Sequence, residues 1–314
     1  MKILNKYNLP ESLVKAITFD DHKGEGYSVT ELILPPRILQ LRRRHQNEIM
    51  VDASERIWLL LGNAVHYILA KGKVINSLPE EKLEVKFDGI KVRGRPDLLH
   101  GDTILDYKIT SVWNAIYSPE GKDEYIQQLN LYRYLYHLYG FPVNKLQICM
   151  ILRDWQKSKV EGDYPEIPIK MIDIPLWELS KVQSFLKGRI KLHECANRRC
   201  DWELPFCTPD EIWLKPEKYA IIKRGNKRAS TLVDTEEEAK ERLKAFSKEY
   251  QIEHRPGRRV RCEDYCEVSK WCNQFQKPKQ LNNGVADACW CHKLKPSAES
   301  ARQAEPAKTC QLIQ

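Results

Sequence analysis

The 314-residue chain lacks any apolar run long enough to cross a membrane. Its first residues, MKILNKYNLPESLV, also lack the apolar core of a signal peptide. We therefore expect a cytoplasmic protein with no membrane partner. Hydrophobic residues make up 42% of the chain and charged residues 30%, which is typical of a soluble globular protein. The length allows one large domain or two smaller ones.

Cysteine is nearly absent from the N-terminal half, where Cys149 is the only one. The other nine of the ten cysteines lie at or beyond Cys195. Because cytosolic thiols stay reduced, clustered cysteines in such a chain favour a metal site over disulfides. The distribution predicts a metal-bearing C-terminal module attached to a domain that needs no cysteine.

Four cysteines are candidates for a tetrahedral metal site: Cys207, Cys262, Cys266 and Cys272. Four thiolates can hold Zn²⁺ or an iron–sulfur cluster. The spacing differs from the paired C-x₂-C of most zinc ribbons, which counts against zinc. Cys207 is our choice for the distant fourth ligand because it lies in a predicted loop, and Cys195 and Cys200 are alternatives.

The net charge is +8, from 51 basic and 43 acidic residues, which permits binding to a polyanion without requiring it. One basic cluster, at 42–45, ends a predicted helix that starts at Pro35 or Pro36. It either stabilises the helix C-terminus or contacts a nucleic-acid backbone. A second cluster, at 223–228, either contacts DNA or forms a solvated face.

The stretch from Gly94 to Lys108 reads GRPDLLHGDTILDYK and contains two short apolar runs around a Gly-Asp turn. This pattern predicts a β-hairpin. Because residues two apart on a strand point to the same face, we expect Asp106 and Lys108 to project together. Asp97 can reach that face from the neighbouring strand.

Two carboxylates and a lysine can act together in catalysis when their side chains lie close to one another. Carboxylate oxygens suit Mg²⁺ or Mn²⁺, which lower the pKa of a bound water and neutralise charge on a phosphate. The lysine can hold the attacking water or a phosphate oxygen. The alternative interpretation is that Asp106 and Lys108 form an ordinary ion pair on the protein surface. The preceding apolar run favours a functional site, since a buried strand rarely carries charge.

At these residues, G-x-P-D followed by I-L-D-Y-K, the chain resembles the PD-(D/E)xK nuclease superfamily, and more closely its RecB-like branch. The resemblance extends to Gly62-x-x-x-His66, to Gln128-x-x-x-Tyr132, and to SVTELILPPR followed by RRH. Within that branch, the order of these motifs and of the cysteines is similar to that of phage-borne and CRISPR-associated iron–sulfur exonucleases.

The resemblance implies roles for individual residues. The catalytic set is Asp97, Asp106, Lys108, Gln128 and Tyr132. The metal ligands are His66, Asp97, Asp106 and the backbone carbonyl of Tyr107. The four cysteines would hold a [4Fe–4S] cluster, with Zn²⁺ as the alternative, although in many relatives the distant cysteine precedes the nuclease core.

Several of these residues also have ordinary structural interpretations. His66 lies on an apolar helix face, where a core histidine is common, and Tyr132 lies in a tyrosine-rich helix. Gln128 is harder to explain as a core residue because a buried amide needs hydrogen-bond partners. Glu84, which could lie near the metals, is interpreted as an exposed strand residue.

We expect an α/β protein with a restriction-endonuclease-like mixed sheet flanked by helices. Residues 1–195 would form the nuclease core with an N-terminal helical segment. Residues 196–278 would form the cysteine-rich module with a small αβ insert, and residues 279–314 a flexible tail. Within the core, helices are predicted at 53–71, 119–139 and 176–194, strands at 145–152 and 167–174, and a hairpin at 82–93.

These observations predict a metal-dependent DNA nuclease. The resemblance implies an exonuclease at single- or double-stranded DNA ends in recombination, repair or phage DNA metabolism, with a helicase or annealing protein as possible partner. The alternatives are a non-catalytic DNA-binding protein and a zinc-stapled interaction protein.

Overall fold

The computed structural model describes residues 1–18, 24–72 and 74–276, and these residues fall into two compact units. The first unit extends to Arg198, and the second begins at Arg199. The predicted boundary after residue 195 lies beside this division, and the predicted tail at 279–314 lies outside the described residues.

Seven helices are described in the first unit, interspersed with ten strands. The helices are α1 (Glu11–Thr18), α2 (Val29–Ile33), α3 (Pro36–Arg44), α4 (Ile57–Ala70), α5 (Val112–Tyr117), α6 (Asp123–Leu138) and α7 (Leu179–Asn197). The strands are β1 (Lys2–Leu4), β2 (Tyr27–Ser28), β3 (Met50–Asp52), β4 (Ser77–Pro79), β5 (Leu83–Phe87), β6 (Ile90–Gly94), β7 (Leu98–His100), β8 (Thr103–Thr110), β9 (Lys145–Leu152) and β10 (Ile169–Ile174).

The main sheet has the strand order β10-β9-β8-β7-β4. Strands β8 and β9 are parallel, and the other neighbouring pairs are antiparallel. Alternate residues of β9 are buried, from Leu146 to Leu152, so one face of this strand packs into the core. A smaller sheet, β2-β6-β5, lies in the same unit. The mixed α/β class predicted from the sequence is confirmed.

Both predicted hairpins are present. Strands β7 and β8 are joined at the predicted turn, where Gly101 has a φ of +58°. Strands β5 and β6 are joined by Asp88 and Gly89, whose φ angles of +48° and +81° are those of the two-residue turns that Asp-Gly favours.

The predicted helix at 119–139 begins later than expected, at Asp123. Gly121 has a φ of +88°, which is incompatible with a right-handed helix, so the chain turns there before α6 begins. A short helix that we did not predict, α5, precedes this turn and is capped by the Ser111 side chain. The helix predicted at 53–71 is divided into a 3₁₀ turn at 53–56 and α4.

Helix α6 packs on the face of the sheet that carries Asp106. Its buried side chains, among them Leu129, Tyr132 and Leu135, join the core formed by β8, β9 and α7. The glutamine and tyrosine of the predicted Q-x-x-x-Y motif therefore lie on the buried face of α6, beside the hairpin. In the described residues, no helix has the length and apolarity needed to span a membrane.

The second unit contains one described helix, α8 (Glu236–Leu243), and five strands. The strands are β11 (Leu214–Lys215), β12 (Lys218–Lys223), β13 (Thr231–Val233), β14 (Tyr250–Arg255) and β15 (Arg258–Arg259). Strands β13-β12-β14 form an antiparallel sheet with α8, whose first turn is capped by Thr235. This is the small αβ insert predicted between Cys207 and Cys262.

Candidate active site

The two aspartates of the hairpin motif are brought together by a backbone hydrogen bond. Asp97 immediately precedes β7, and its Oδ2 accepts a hydrogen bond of 2.7 Å from the backbone N–H of Tyr107. Tyr107 lies between Asp106 and Lys108 on β8. Asp97 is thus held beside the strand that carries the other two residues, as its place in the hairpin predicts. The metal-binding role of the Tyr107 carbonyl stays a prediction.

His66, Glu80 and Asp97 form a cluster whose potential ligand atoms all lie within 4.8 Å of one another. Nδ1 of His66 is 3.2 Å from Oδ1 of Asp97 and 4.0 Å from Oε1 of Glu80. The hydrogen bond that His66 donates to the Asp97 carboxylate raises the pKa of His66. An imidazole and two carboxylates are donors that suit Mn²⁺ or Mg²⁺.

Glu80 is the site residue that the sequence analysis missed. It follows the three-residue strand β4, and its backbone N–H donates to the carbonyl of Asp97 at 3.0 Å. Its φ of +52° is unusual for a non-glycine residue, and Nε of Arg95 lies 2.6 Å from its carboxylate. A strand of three residues is too short to show an alternating pattern of apolar and polar residues, so no signal in the sequence pointed to Glu80. Glu84, the glutamate considered instead, is exposed on β5 beside Lys91.

Asp106 is only 2% exposed, and burial raises the pKa of its carboxyl to about 6 although Lys108 opposes the shift. Its Oδ2 lies 2.6 Å from Nζ of Lys108, as expected for residues on one strand face. A carboxylate has about four lone-pair sites, so Asp106 can bind a further ligand beside Lys108.

Lys108, Gln128 and Tyr132 form a hydrogen-bonded chain. Nζ of Lys108 donates to Oε1 of Gln128 at 3.2 Å, and Nε2 of Gln128 donates to the hydroxyl of Tyr132 at 3.1 Å. Gln128 is buried, and this pairing gives its amide the partners that burial requires. Burial lowers the pKa of Lys108, but the carboxylate of Asp106 outweighs that effect and the net shift is upward.

Tyr132 is buried near the acidic cluster. Burial raises the pKa of its hydroxyl well above the ordinary range, and the carboxylate of Asp106 raises it further. The hydroxyl therefore stays neutral and acts as a hydrogen-bonding group. Its position is compatible with the predicted role beside the reacting groups, which stays a prediction.

The four candidate cluster cysteines all lie in the second unit, and none of the four is in a disulfide bond. Cys207 and Cys272 are buried. The Gln274 side chain accepts a hydrogen bond from the backbone N–H of Cys207 and donates one to its carbonyl. Burial raises the pKa of Cys262, and the neighbouring thiols of Cys266 and Cys272 raise it further. The presence of a metal cluster stays a prediction.

The two alternative cysteines, Cys195 and Cys200, are disulfide-bonded, so of the three candidates for the fourth ligand only Cys207 is outside a disulfide. This also differs from the expectation of reduced thiols throughout. Cysteines beyond residue 276 lie outside the described residues.

The basic residues at the end of α3 have contacts within the chain. The Arg43 guanidinium is 3.0 Å from Glu31 and lies over the Tyr27 ring, and Arg44 donates to two backbone carbonyls at the end of α7. These contacts favour the structural interpretation of this cluster. In the second unit, Lys223 pairs with Glu249, which is compatible with a solvated face.

Comparison with known proteins gives one family match. The family model described as the PD-(D/E)XK nuclease superfamily matches residues 38–273, which include every residue of the site above. No curated protein sequence matches the chain at a significant level.

Solved structures also match the chain at low sequence identity, among them the following three. The crystal structure of SSO0001 has 19% identity and a TM-score of 0.40, and the match covers 58% of this chain and 85% of that one. An alkaline exonuclease (LHK-Exo) from Laribacter hongkongensis has 12% identity and a TM-score of 0.32, with 54% and 88% covered. A phage-related exonuclease from Haemophilus somnus 129PT has 15% identity and a TM-score of 0.24, with 57% and 76% covered.

Proposed function

Because the chain belongs to the PD-(D/E)XK nuclease superfamily, we propose that it is a metal-dependent deoxyribonuclease of the RecB-like type, acting as an exonuclease on DNA ends. One observation carries the proposal. The cluster of His66, Glu80 and Asp97 lies beside the buried ion pair of Asp106 and Lys108, because Asp97 directly precedes β7 and the ion pair lies on β8, its partner strand.

The residues present fit a divalent cation. The cluster offers two carboxylates and an imidazole, and Asp106 adds a third, buried carboxylate. His66, Glu80, Asp97 and Asp106 would hold Mg²⁺ or Mn²⁺, joined by the Tyr107 carbonyl. When bound, such an ion lowers the pKa of a water and offsets charge on the phosphate.

The other residues act on the substrate side. Lys108, held as a cation by Asp106, orients the attacking water or a phosphate oxygen. Gln128 limits where the lysine can point, because its carbonyl accepts a hydrogen bond from Nζ. Tyr132 in turn fixes the Gln128 amide, so that one rotamer of each side chain is preferred.

Cleavage of end-labelled single- and double-stranded DNA in Mn²⁺ or Mg²⁺ tests the proposal. We expect activity in the parent protein and a loss of at least about 100-fold in Lys108→Ala and Asp106→Asn, since each removes a charge from the reacting centre. Asp102→Asn is the matched control, because Asp102 is an exposed aspartate in the turn of the same hairpin. The lengths of the labelled products would show whether digestion starts at the 5′ or the 3′ end. A parent protein that cleaves no DNA with either ion would refute the nuclease.

We further propose that Cys207, Cys262, Cys266 and Cys272 hold a structural [4Fe–4S] cluster that cross-links the second unit, with Zn²⁺ as the alternative. All four cysteines lie in one unit and outside disulfide bonds, and two of them are buried, which supports this proposal. Iron, sulfide and zinc analysis of anaerobically purified protein distinguishes the two metals. Cys272→Ser would lose the metal, whereas Cys149→Ser, in the first unit, would keep it. A metal-free parent protein would refute both forms of the site.

The proposed setting is cytoplasmic DNA metabolism, in recombination, repair or phage replication. A helicase or an annealing protein that supplies DNA ends would be the expected partner. Cleavage assays with and without such a protein would measure that dependence.

A further inference from the structure

Two aromatic side chains on α5 face solvent as a stacked pair. The rings of Trp113 and Tyr117 have centroids 5.8 Å apart and an interplanar angle of 17°. Trp113 is 57% exposed and Tyr117 is 77% exposed, whereas Val112 and Ala115 anchor the opposite side of the helix in the core. The pair therefore presents its flat aromatic surface to solvent and contributes little to the core.

A second exposed ring lies on α4. Trp58 is 56% exposed, and the guanidinium of Arg153 lies 4.1 Å from its ring centroid. This cation–π contact combines an aromatic face with a positive charge, which is a combination suited to the bases and phosphates of a nucleic acid.

Both features lie next to the end of β8. The backbone N–H of Arg153 donates to the carbonyl of Thr110, the last residue of β8. Asp154 accepts from the N–H of Val112, so the turn after β9 holds the start of α5. Since β8 and β9 are parallel, their carboxyl ends meet at one edge of the sheet, and the aromatic residues gather there.

This edge is continuous with the candidate active site. Trp113 is five residues beyond Lys108, so their Cα atoms are at most about 17 Å apart. The ring centroid of Tyr125 lies 5.4 Å from Nζ of Lys108 and 6.0 Å from Nζ of Lys122, so an aromatic ring with two basic neighbours lies beside the active-site lysine. Stacked nucleotides rise about 3.4 Å each, so no more than about five would span the interval.

We propose that Trp58, Trp113, Tyr117 and Arg153 form a stacking platform for the bases of single-stranded DNA that enters the active site. The inference rests on the proposed nuclease function, and it adds the substrate class. Single strands fit because their bases expose π-faces, whereas those of a duplex are already stacked on one another. The occupant is a polyanion, in agreement with the cationic groups at this edge.

Binding without cleavage tests the platform. In EDTA, tryptophan fluorescence quenching reports affinity for (dT)₂₀, for an abasic 20-mer of equal charge and for a 20-bp duplex. We expect the parent protein to bind (dT)₂₀ at least about tenfold more tightly than the abasic strand, or about 1.4 kcal/mol. The double variant Trp113→Ala/Tyr117→Ala would lose this difference, and Trp58→Ala would reduce it.

Two controls separate stacking from folding. Trp113→Phe retains a flat ring and would bind (dT)₂₀ within about threefold of the parent. Tyr7→Ala removes a tyrosine that is 70% exposed elsewhere in the first unit and would bind like the parent. A double alanine variant that binds (dT)₂₀ as tightly as the parent would overturn the platform, as would a parent that prefers duplex or makes no distinction against the abasic strand.

The two proposals can fail separately. A parent protein that prefers (dT)₂₀ over the abasic strand but cleaves no DNA in Mn²⁺ would retain the platform and refute the nuclease. A parent protein that cleaves DNA while its platform variants bind normally would retain the nuclease and refute the platform.

Discussion

A Cβ atom on Gly94 would lie 3.0 Å from Cδ1 of Tyr132 and 2.6 Å from Cδ1 of Leu135. The glycine of the G-x-P-D motif therefore allows α6 to approach β6 closely enough for its tyrosine to reach the active site. Because the first clash is with a packed core leucine, the added methyl cannot be accommodated by moving a flexible surface side chain.

We expect Gly94→Ala to destabilise the first unit by about 1–3 kcal/mol, the typical cost of overpacking a core. It should also reduce cleavage in the folded fraction, because Tyr132 and Gln128 would move with α6. Urea unfolding and Mn²⁺-dependent cleavage measure the two effects. Gly188→Ala, on α7 with open space around its Cα, should be neutral or slightly stabilising. Equal effects of both changes would contradict this packing account.

Replacing Gln128 by Leu should lower turnover by about 10- to 100-fold, since a hydrogen bond to a charged group contributes roughly 1.5–3 kcal/mol. Tyr132→Phe should have a smaller effect, below about tenfold, because it removes a neutral hydrogen bond. Gln127→Leu, one residue earlier on α6, serves as the control. If Gln128→Leu leaves turnover unchanged, Gln128 does not position Lys108.

Glu80→Gln should weaken Mn²⁺ binding by about tenfold or more, because it removes one negative charge from the cluster with His66 and Asp97. Calorimetric titration with Mn²⁺ measures the change without requiring catalysis. The matched control is Glu81→Gln, which alters the adjacent exposed carboxylate. Indistinguishable affinities for the two variants would exclude Glu80 as a ligand.

His193 should make the first unit sensitive to acid. Burial lowers the pKa of its imidazole from the ordinary value of 6.5 to about 4, with the Arg189 charge acting in the same direction. Because the unfolded chain binds this proton more readily, the stabilisation is present above about pH 6.5 and is lost as the pH falls toward 4. At pH 5, the loss attributable to this group is about 2 kcal/mol.

Urea unfolding at pH 7 and pH 5 tests this expectation. His193→Gln should lose less stability than the parent between these pH values, whereas His100→Gln, which changes an exposed histidine, should lose as much as the parent. A parent whose stability is the same at both pH values would contradict the assignment.

The sequence by itself determined the hairpin and the pairing of Asp106 with Lys108. Turn chemistry at Gly101 and strand alternation are local properties, so the short sequence around them contains the necessary information. The same holds for β9, whose alternating burial follows directly from its apolar residues.

Only the tertiary structure decided the remaining features. Glu80 joins Asp97 through pairing of β4 with β7, and Trp58 meets Arg153 from helix and strand ends far apart in the chain. The role of Gly94 likewise appears only once α6 is packed on it. These contacts depend on which distant surfaces bury one another, and that choice is made by the fold as a whole rather than by any local pattern.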